Sequence, residues 1–145
     1  MDETLYRLAA RVGRRLKDKG LMVATAESCT GGWIGQAITM VPGSSEWFER
    51  GFVTYTYIAK REMLGVKTAS LAKHGAVSEQ VVREMAQGAL LRSHAQVSVA
   101  VSGVAGPGGG SPGKHTAVIL ITHDLGIIAE TADRVAVMQP QTEAA

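Results

Sequence analysis

Residues 21–33 read Leu21-Met22-Val23-Ala24-Thr25-Ala26-Glu27-Ser28-Cys29-Thr30-Gly31-Gly32-Trp33. A short apolar run leads into a turn of small residues, and a helical pattern follows from Trp33 to Met40. Ser28 therefore stands where a strand ends and a helix begins. At such a junction the first helical N–H groups lack intrahelical partners and carry partial positive charge. Thr30, Gly31 and Gly32 leave the backbone open to close approach by a ligand. A serine hydroxyl beside bare N–H donors has the parts of an acyl-transfer site. An N-cap role for Ser28 or Thr30 fits the same spacing equally well.

Working outward, strand and helix patterns alternate. Residues 3–19 carry apolar positions at Leu5, Leu8, Val12 and Leu16, the stripe of an amphipathic helix, with Gly20 at its end. A buried strand is expected over 21–25, a helix over 30–40, and a strand over 51–57. A short helix over 59–64 and a turn at 71–74 come next. Ser78 opens a long helix whose inward positions are Val81, Val82, Met85, Ala86, Ala89 and Leu90. Strand 97–101 leads into residues 103–113, which hold six glycines and two prolines and read as loop. Strand 116–122, helix 125–131, strand 134–138 and a tail over 139–145 complete the chain. This order predicts a single α/β domain, a three-layer α/β/α sandwich around a mixed, mostly parallel sheet.

Composition narrows the function classes. The 145 residues are one domain by size, and 46% of them are hydrophobic, enough for a moderate core. Fifteen basic and thirteen acidic side chains nearly cancel, which gives no argument for nucleic acid or a charged membrane as partner. Arg11, Arg14, Arg15, Lys17 and Lys19 cluster on the first helix and read as its solvated face. One cysteine excludes an intrachain disulfide and suits a reducing compartment. No apolar run approaches the ~18 residues of a membrane span. Arg7 interrupts the start of the chain, against a signal peptide. A cytoplasmic location is expected. The four histidines show no zinc-ligand spacing, so neither a metal nor another cofactor is expected.

Ala26-Glu27-Ser28-Cys29-Thr30-Gly31-Gly32 resembles the signature of the CinA C-terminal domain, the nicotinamide mononucleotide amidohydrolases. The likeness continues through Pro42-Gly43-Ser44-Ser45-Glu46-Trp47-Phe48 to Tyr55, and through Ala59-Lys60, Leu64-Gly65-Val66 and His74-Gly75-Ala76-Val77-Ser78-Glu79. It ends with Ser102-Gly103-Val104-Ala105-Gly106-Pro107-Gly108-Gly109-Gly110. These segments span about residues 1–113, in order and with family-like spacing. The resemblance implies hydrolysis of the carboxamide of a mononucleotide by side chains and water alone, a small-molecule substrate, and a homodimer.

It also implies roles for particular residues. Ser28 is the expected nucleophile, with Tyr55 and Lys60 as the groups that accept or relay its proton. Without the family, Tyr55 reads as a core residue with a wet tip and Lys60 as a solvated charge. Glu27 is expected either at a ribose hydroxyl or as the cap of a neighbouring element. Cys29 is the rival nucleophile, since a helix N-terminus lowers a thiol pKa. With Thr30, Gly31 and Gly32, the expected substrate contacts are Ser102, Gly103 and Gly106, in a loop whose N–H groups can cradle an anion. Tyr57 departs from the family pattern Tyr-Ser-Asn-x-Ala-Lys and puts a bulky ring where a small amide is usual.

The C-terminal part also departs from the pattern. The family continues with a Lys-Pro-Val-Gly-Thr segment, a Gly-Asp-Arg motif and a long helix. Here residues 116–138, with His123-Asp124-Leu125-Gly126, resemble the switch-histidine segment of oligopeptide-type ABC transporter ATPases. The chain thus reads as two ancestries joined near 113–116, with residues 114–138 supplying a strand, helix and strand to complete the sheet. Gly108 to His115 is a near miss to a phosphate-binding loop, since His115 stands where a hydroxyl would hold magnesium. Asp124 reads more simply as an N-cap, and Arg134 is not equivalent to the missing arginine. The expectation is an amidohydrolase with activity lowered by the altered end. The alternative is a folded but inactive chimera.

Overall fold

A computed structural model describes residues 2–104 and 116–122. Helix α1 (Glu3–Asp18) is capped by Asp2, whose carboxylate accepts from the Thr4 and Leu5 N–H groups. Strand β1 (Val23–Glu27) follows, then helix α2 (Trp33–Thr39), a 3₁₀ turn at Ser44–Glu46 and strand β2 (Phe48–Val53). Helices α3 (Tyr57–Leu64), α4 (Thr68–His74) and α5 (Glu79–Leu91) lead to strands β3 (Val97–Gly103) and β4 (Thr116–Thr122).

The strands lie in the order β2-β1-β3-β4. β1 runs parallel to both its neighbours, and β4 returns antiparallel to β3. The sheet is mixed and mostly parallel, as the alternation predicted. Successive residues of a strand face opposite sides, and two cores follow from this. Val23 and Val97 pack with Leu16, Ile38 and Trp47 on the face covered by α1 and α2. Ala26 and Ala100 pack with Leu64, Val82, Met85 and Ala89 on the face covered by α3, α4 and α5. These are the three layers.

Element boundaries moved for local reasons. The first strand begins at Val23 rather than residue 21, because the Leu21 N–H closes the end of α1 on the Leu16 carbonyl at 2.9 Å. The Met22 N–H is taken by the Gln96 side chain at 2.9 Å. α2 starts at Trp33 rather than at residue 30, because Gly31 and Gly32 adopt φ of 62° and 102°. This left-handed region breaks the helix and is open to glycine without strain. The second strand takes in Phe48, Glu49 and Arg50, a charged stretch that an edge strand tolerates. It stops at Val53 rather than 57, since Thr56 caps α3 by accepting the Ala59 N–H at 3.1 Å. The turn expected at 71–74 is the last part of a full helix. β3 runs two residues beyond 101. Helix 125–131, strand 134–138 and the tail lie outside the described residues.

β1 lies centrally, with all five residues buried. Its onward connection through α2 leads to β2 on one side, while β3 lies on the other. In open α/β sheets the crevice at the carboxyl ends of such strands is where ligands bind. Glu27 pairs with Val101, so Ser28 and Ser102 are the next residues at these two strand ends.

Candidate active site

Ser28 is buried, and its N–H donates to the Val101 carbonyl at 3.1 Å, which continues the β1–β3 ladder one residue beyond the strand. Its Oγ lies 2.9 Å from the Nζ of Lys60. Lys60 arrives from the first turns of α3 and is 1% exposed. The same Nζ donates to the Thr54 carbonyl at 2.7 Å and to the Tyr55 carbonyl at 3.1 Å. Lys60 has no salt-bridge partner among the described residues. Burial pushes its pKa below the ordinary lysine value and outweighs the nearby Cys29, which acts in the opposite sense. A buried lysine held by neutral oxygens is suited to work as an amine rather than as an ammonium.

The structure therefore brings together Ser28 and Lys60, 32 positions apart in sequence. It places Tyr55 differently from the expected strand position. Tyr55 sits in the short loop after β2, is 64% exposed, and touches Lys60 through its backbone carbonyl. Tyr57 is the first residue of α3 and is half exposed.

Glu27 is 1% exposed. Its Oε1 accepts from the Thr30 hydroxyl at 2.7 Å and from the Ile34 N–H at 2.8 Å. Its Oε2 accepts from the Gly35 N–H at 3.0 Å. Of its two expected settings, the cap of a neighbouring element is the one the hydrogen bonds form. The N-cap expected of Ser28 or Thr30 is not formed: Gly32 occupies that position without a side-chain bond, and Glu27 supplies the acceptor instead.

This capping corrects the expectation of bare helical donors. The Ile34 and Gly35 N–H groups are taken by Glu27, and the Trp33 N–H by the Thr30 carbonyl at 3.1 Å. Within the turn, the Gly31 N–H closes on the Ser28 carbonyl at 3.0 Å. The N–H groups of Cys29, Thr30 and Gly32 have no acceptor among the described residues. The open donors thus lie in the turn itself, beside the serine. Cys29 is half-buried.

Ser102 is buried at the end of β3, and Gly103 closes that strand. Gly106 lies outside the described residues. Sequence reasoning missed Thr54, fully buried between β2 and α3, whose carbonyl makes the shortest of the Lys60 contacts. A backbone acceptor leaves no trace in residue type, so no signal marked it. Among the described residues no three His, Cys, Asp or Glu side chains group as metal ligands, and no helix is long and apolar enough to cross a membrane.

Comparison with known proteins bears on this geometry. The family model described as the CinA C-terminal domain matches residues 5–140. Over 118 residues the chain is 54% identical to a nicotinamide-nucleotide amidohydrolase, PncC, of Escherichia coli strain K12, covering 81% of this chain and 72% of that one. Over 112 residues it is 53% identical to the Pseudomonas putida protein of the same name, covering 77% and 70%. Among solved structures, the competence/damage inducible protein CihA from Agrobacterium tumefaciens superposes with a TM-score of 0.81 at 49% identity, over 85% of this chain and 76% of that one.

Proposed function

We propose a function on the premise that this chain belongs to the CinA C-terminal domain family: it hydrolyses the carboxamide of nicotinamide mononucleotide to nicotinic acid mononucleotide and ammonia. The observation that carries the reading is the surroundings of the Lys60 Nζ. A neutral amine has two N–H bonds and one lone pair. Two of its three neighbours, the Thr54 and Tyr55 carbonyls, can only accept, and so take the two N–H bonds. The third, the Ser28 hydroxyl, accepts from the ammonium form and is the only one of the three with a proton to give once the amine is neutral. The lone pair is thereby directed at the nucleophile, within the reach a general base needs.

The reaction then proceeds in two halves. Ser28 Oγ attacks the carboxamide carbon while its proton passes to Lys60 Nζ. The negative charge that develops on the carbonyl oxygen is met by the open N–H groups of Cys29, Thr30 and Gly32. Collapse breaks the carbon–nitrogen bond, and Lys60 returns its proton to the leaving nitrogen, which departs as ammonia. Water then attacks the acyl-serine ester, Lys60 accepts its proton, and that proton restores the Ser28 hydroxyl. Ser102 and Gly103 at the end of β3 are assigned to the substrate side of this crevice, where their backbone can approach a phosphate or ribose; Gly106, outside the described residues, is assigned to the substrate by the family resemblance. Thr30, Gly31 and Gly32 line the turn facing it, and Glu27 holds that turn from behind.

Ser28→Ala tests the assignment. Ammonia release from the mononucleotide is expected to fall below detection while the melting temperature stays nearly unchanged, and Cys29→Ala is expected to keep most of the activity. The reverse pattern transfers the nucleophile to the thiol.

Three finer readings accompany the proposal. The reducing environment suggested by a single cysteine supports cytoplasmic action, and the family resemblance supports a homodimer. A change of ancestry near residues 113–116 rests on the C-terminal sequence alone, while the family match runs on to residue 140. Of these, only the last bears on catalysis: losing one charge-assisted phosphate contact is worth roughly 1.5–3 kcal/mol, one to two orders of magnitude in rate.

A further inference from the structure

Between Ser28 and α2 the chain passes through Gly31 and Gly32, both at positive φ. Two consecutive glycines have the widest choice of backbone conformations of any dipeptide. Yet this turn must hold the Ser28 Oγ within 2.9 Å of the Lys60 Nζ, and it carries the open N–H groups of Cys29 and Thr30. The turn itself contributes one internal backbone bond around the serine, from Gly31 N–H to the Ser28 carbonyl. Its ends are held by the Ser28 N–H on the Val101 carbonyl and the Trp33 N–H on the Thr30 carbonyl, and one carboxylate joins the turn to α2. Glu27 reaches past the turn and fastens both of its far points, the Thr30 hydroxyl through Oε1 and the start of α2 through Oε1 and Oε2. It is itself fixed on the ladder, since its carbonyl accepts the Thr54 N–H at 2.8 Å. Thr54 is also the residue whose carbonyl holds Lys60.

We infer that Glu27 is a positioning residue for the reaction: its carboxylate braces the Ser28–Gly32 turn against α2, and so sets the nucleophile on the base and the turn donors on the developing oxyanion. The inference rests on the Ser28–Lys60 reading above. It differs from a substrate contact at Glu27, because both carboxylate oxygens are already occupied from within the fold.

The test separates the two readings by using a probe that needs no knowledge of the natural substrate. Modification of Ser28 by phenylmethylsulfonyl fluoride, followed by mass spectrometry of the labelled peptide, reports the reactivity of the serine. The kcat and KM for ammonia release from nicotinamide mononucleotide report the reaction. In Glu27→Gln the side-chain amide nitrogen faces a main-chain N–H whichever way it turns, that of Gly35 or that of Ile34, donor against donor. The expected result is at least a tenfold loss in both the labelling rate and kcat, with KM within about twofold and the acid limb of the pH profile unmoved. Thr30→Val removes one of the three anchors and is expected to lose severalfold in the same two quantities. Thr30→Ser, which keeps the hydroxyl, restores them.

A rise in KM at unchanged kcat and unchanged labelling overturns the inference and returns Glu27 to the substrate. Equal labelling rates in the parent, Glu27→Gln and Thr30→Val overturn it as well. If Glu27→Gln does not fold, the Thr30→Val and Thr30→Ser pair decides the matter alone. If the parent labels at Ser28 but releases no ammonia, the proposed substrate fails while the labelling comparison still judges Glu27.

Discussion

Gly88 on α5 lies against the backbone of Leu64 on α3, so close that a Cβ at position 88 would collide with the Leu64 carbonyl. That same carbonyl accepts from Arg92 Nη1 at 3.1 Å, which ties the end of α3 to the end of α5. Leu64 lies one helical turn beyond Lys60. The separation of the two helices therefore fixes how far Lys60 extends toward Ser28.

Gly88→Ala is expected to destabilise the fold although alanine is the better helix former. Backbone atoms cannot swing aside as a side-chain tip can, and overpacking of this kind costs about 1–3 kcal/mol. The helix propensity gained is about 1 kcal/mol. The displacement falls on α3, so kcat is expected to drop about tenfold or more together with the urea midpoint. Unchanged values of both would show that α3 can shift without disturbing the pair.

Lys60 gives the activity a pH signature. Burial lowers its pKa from the ordinary lysine value, and the nearby Cys29 opposes this. The base must be neutral, and the neutral fraction grows as pH rises. The rate is therefore expected to climb with pH along a limb whose midpoint lies below the ~10.4 of a free lysine. Removing the thiol in Cys29→Ala takes away the opposing influence, so the limb moves to lower pH while most of the maximal rate remains. A shift to higher pH would contradict this account. Lys60→Met is expected to lose about 10²–10⁴-fold in kcat, the usual worth of a general base.

Tyr55 holds Lys60 with its carbonyl and leaves its ring in solvent. Tyr55→Phe keeps the carbonyl. The pH limb is expected to stay where it is, with a change in rate far smaller than that of Lys60→Met. A displaced limb would instead return the hydroxyl to the proton path.

Glu84, on α5, should govern the response to acid. Burial acts to raise its pKa. Hydrogen bonds from Ser70, the Lys67 N–H and Gln80, with the Lys67 charge, outweigh burial and leave it lowered. A carboxylate whose folded pKa is lowered stabilises the fold above its unfolded pKa of about 4.3. That stability disappears as pH falls through the folded value. Glu84→Gln is expected to flatten the fall in melting temperature below about pH 4.3 and to lower the melting temperature at pH 7. An unchanged acid slope would count against it.

The layered fold was legible because apolar periodicity survives in each element. Ser78 caps α5 by accepting the Val81 N–H at 3.3 Å, and of the expected inward stripe Val81, Val82, Met85, Ala86 and Ala89 are buried while Leu90 is half-buried against the same core. α4 was read only as a turn, since Lys67 at its N-cap position supplies no side-chain cap and its seven residues leave little stripe to see. At the site, Ser28 and Lys60 were marked by residue type and by family likeness, and their contact is a fact of packing between β1 and α3. The acceptors at Thr54 and Val101 are main-chain oxygens, identical in every residue, and no sequence pattern could distinguish them. Glu27 had two readings open, and the choice between them needed the path of a turn whose glycines permit many paths.

β1 takes one neighbour from β2 and the other from β3, a strand that begins far later in the chain. The Ser28 N–H is anchored only when Val101 arrives beside it. Parallel pairings between distant segments are slow to form, because loop closure must precede the contacts that reward it. During refolding, helical signal should therefore return well before the serine becomes reactive. The last step of folding and the first appearance of activity should share one rate constant.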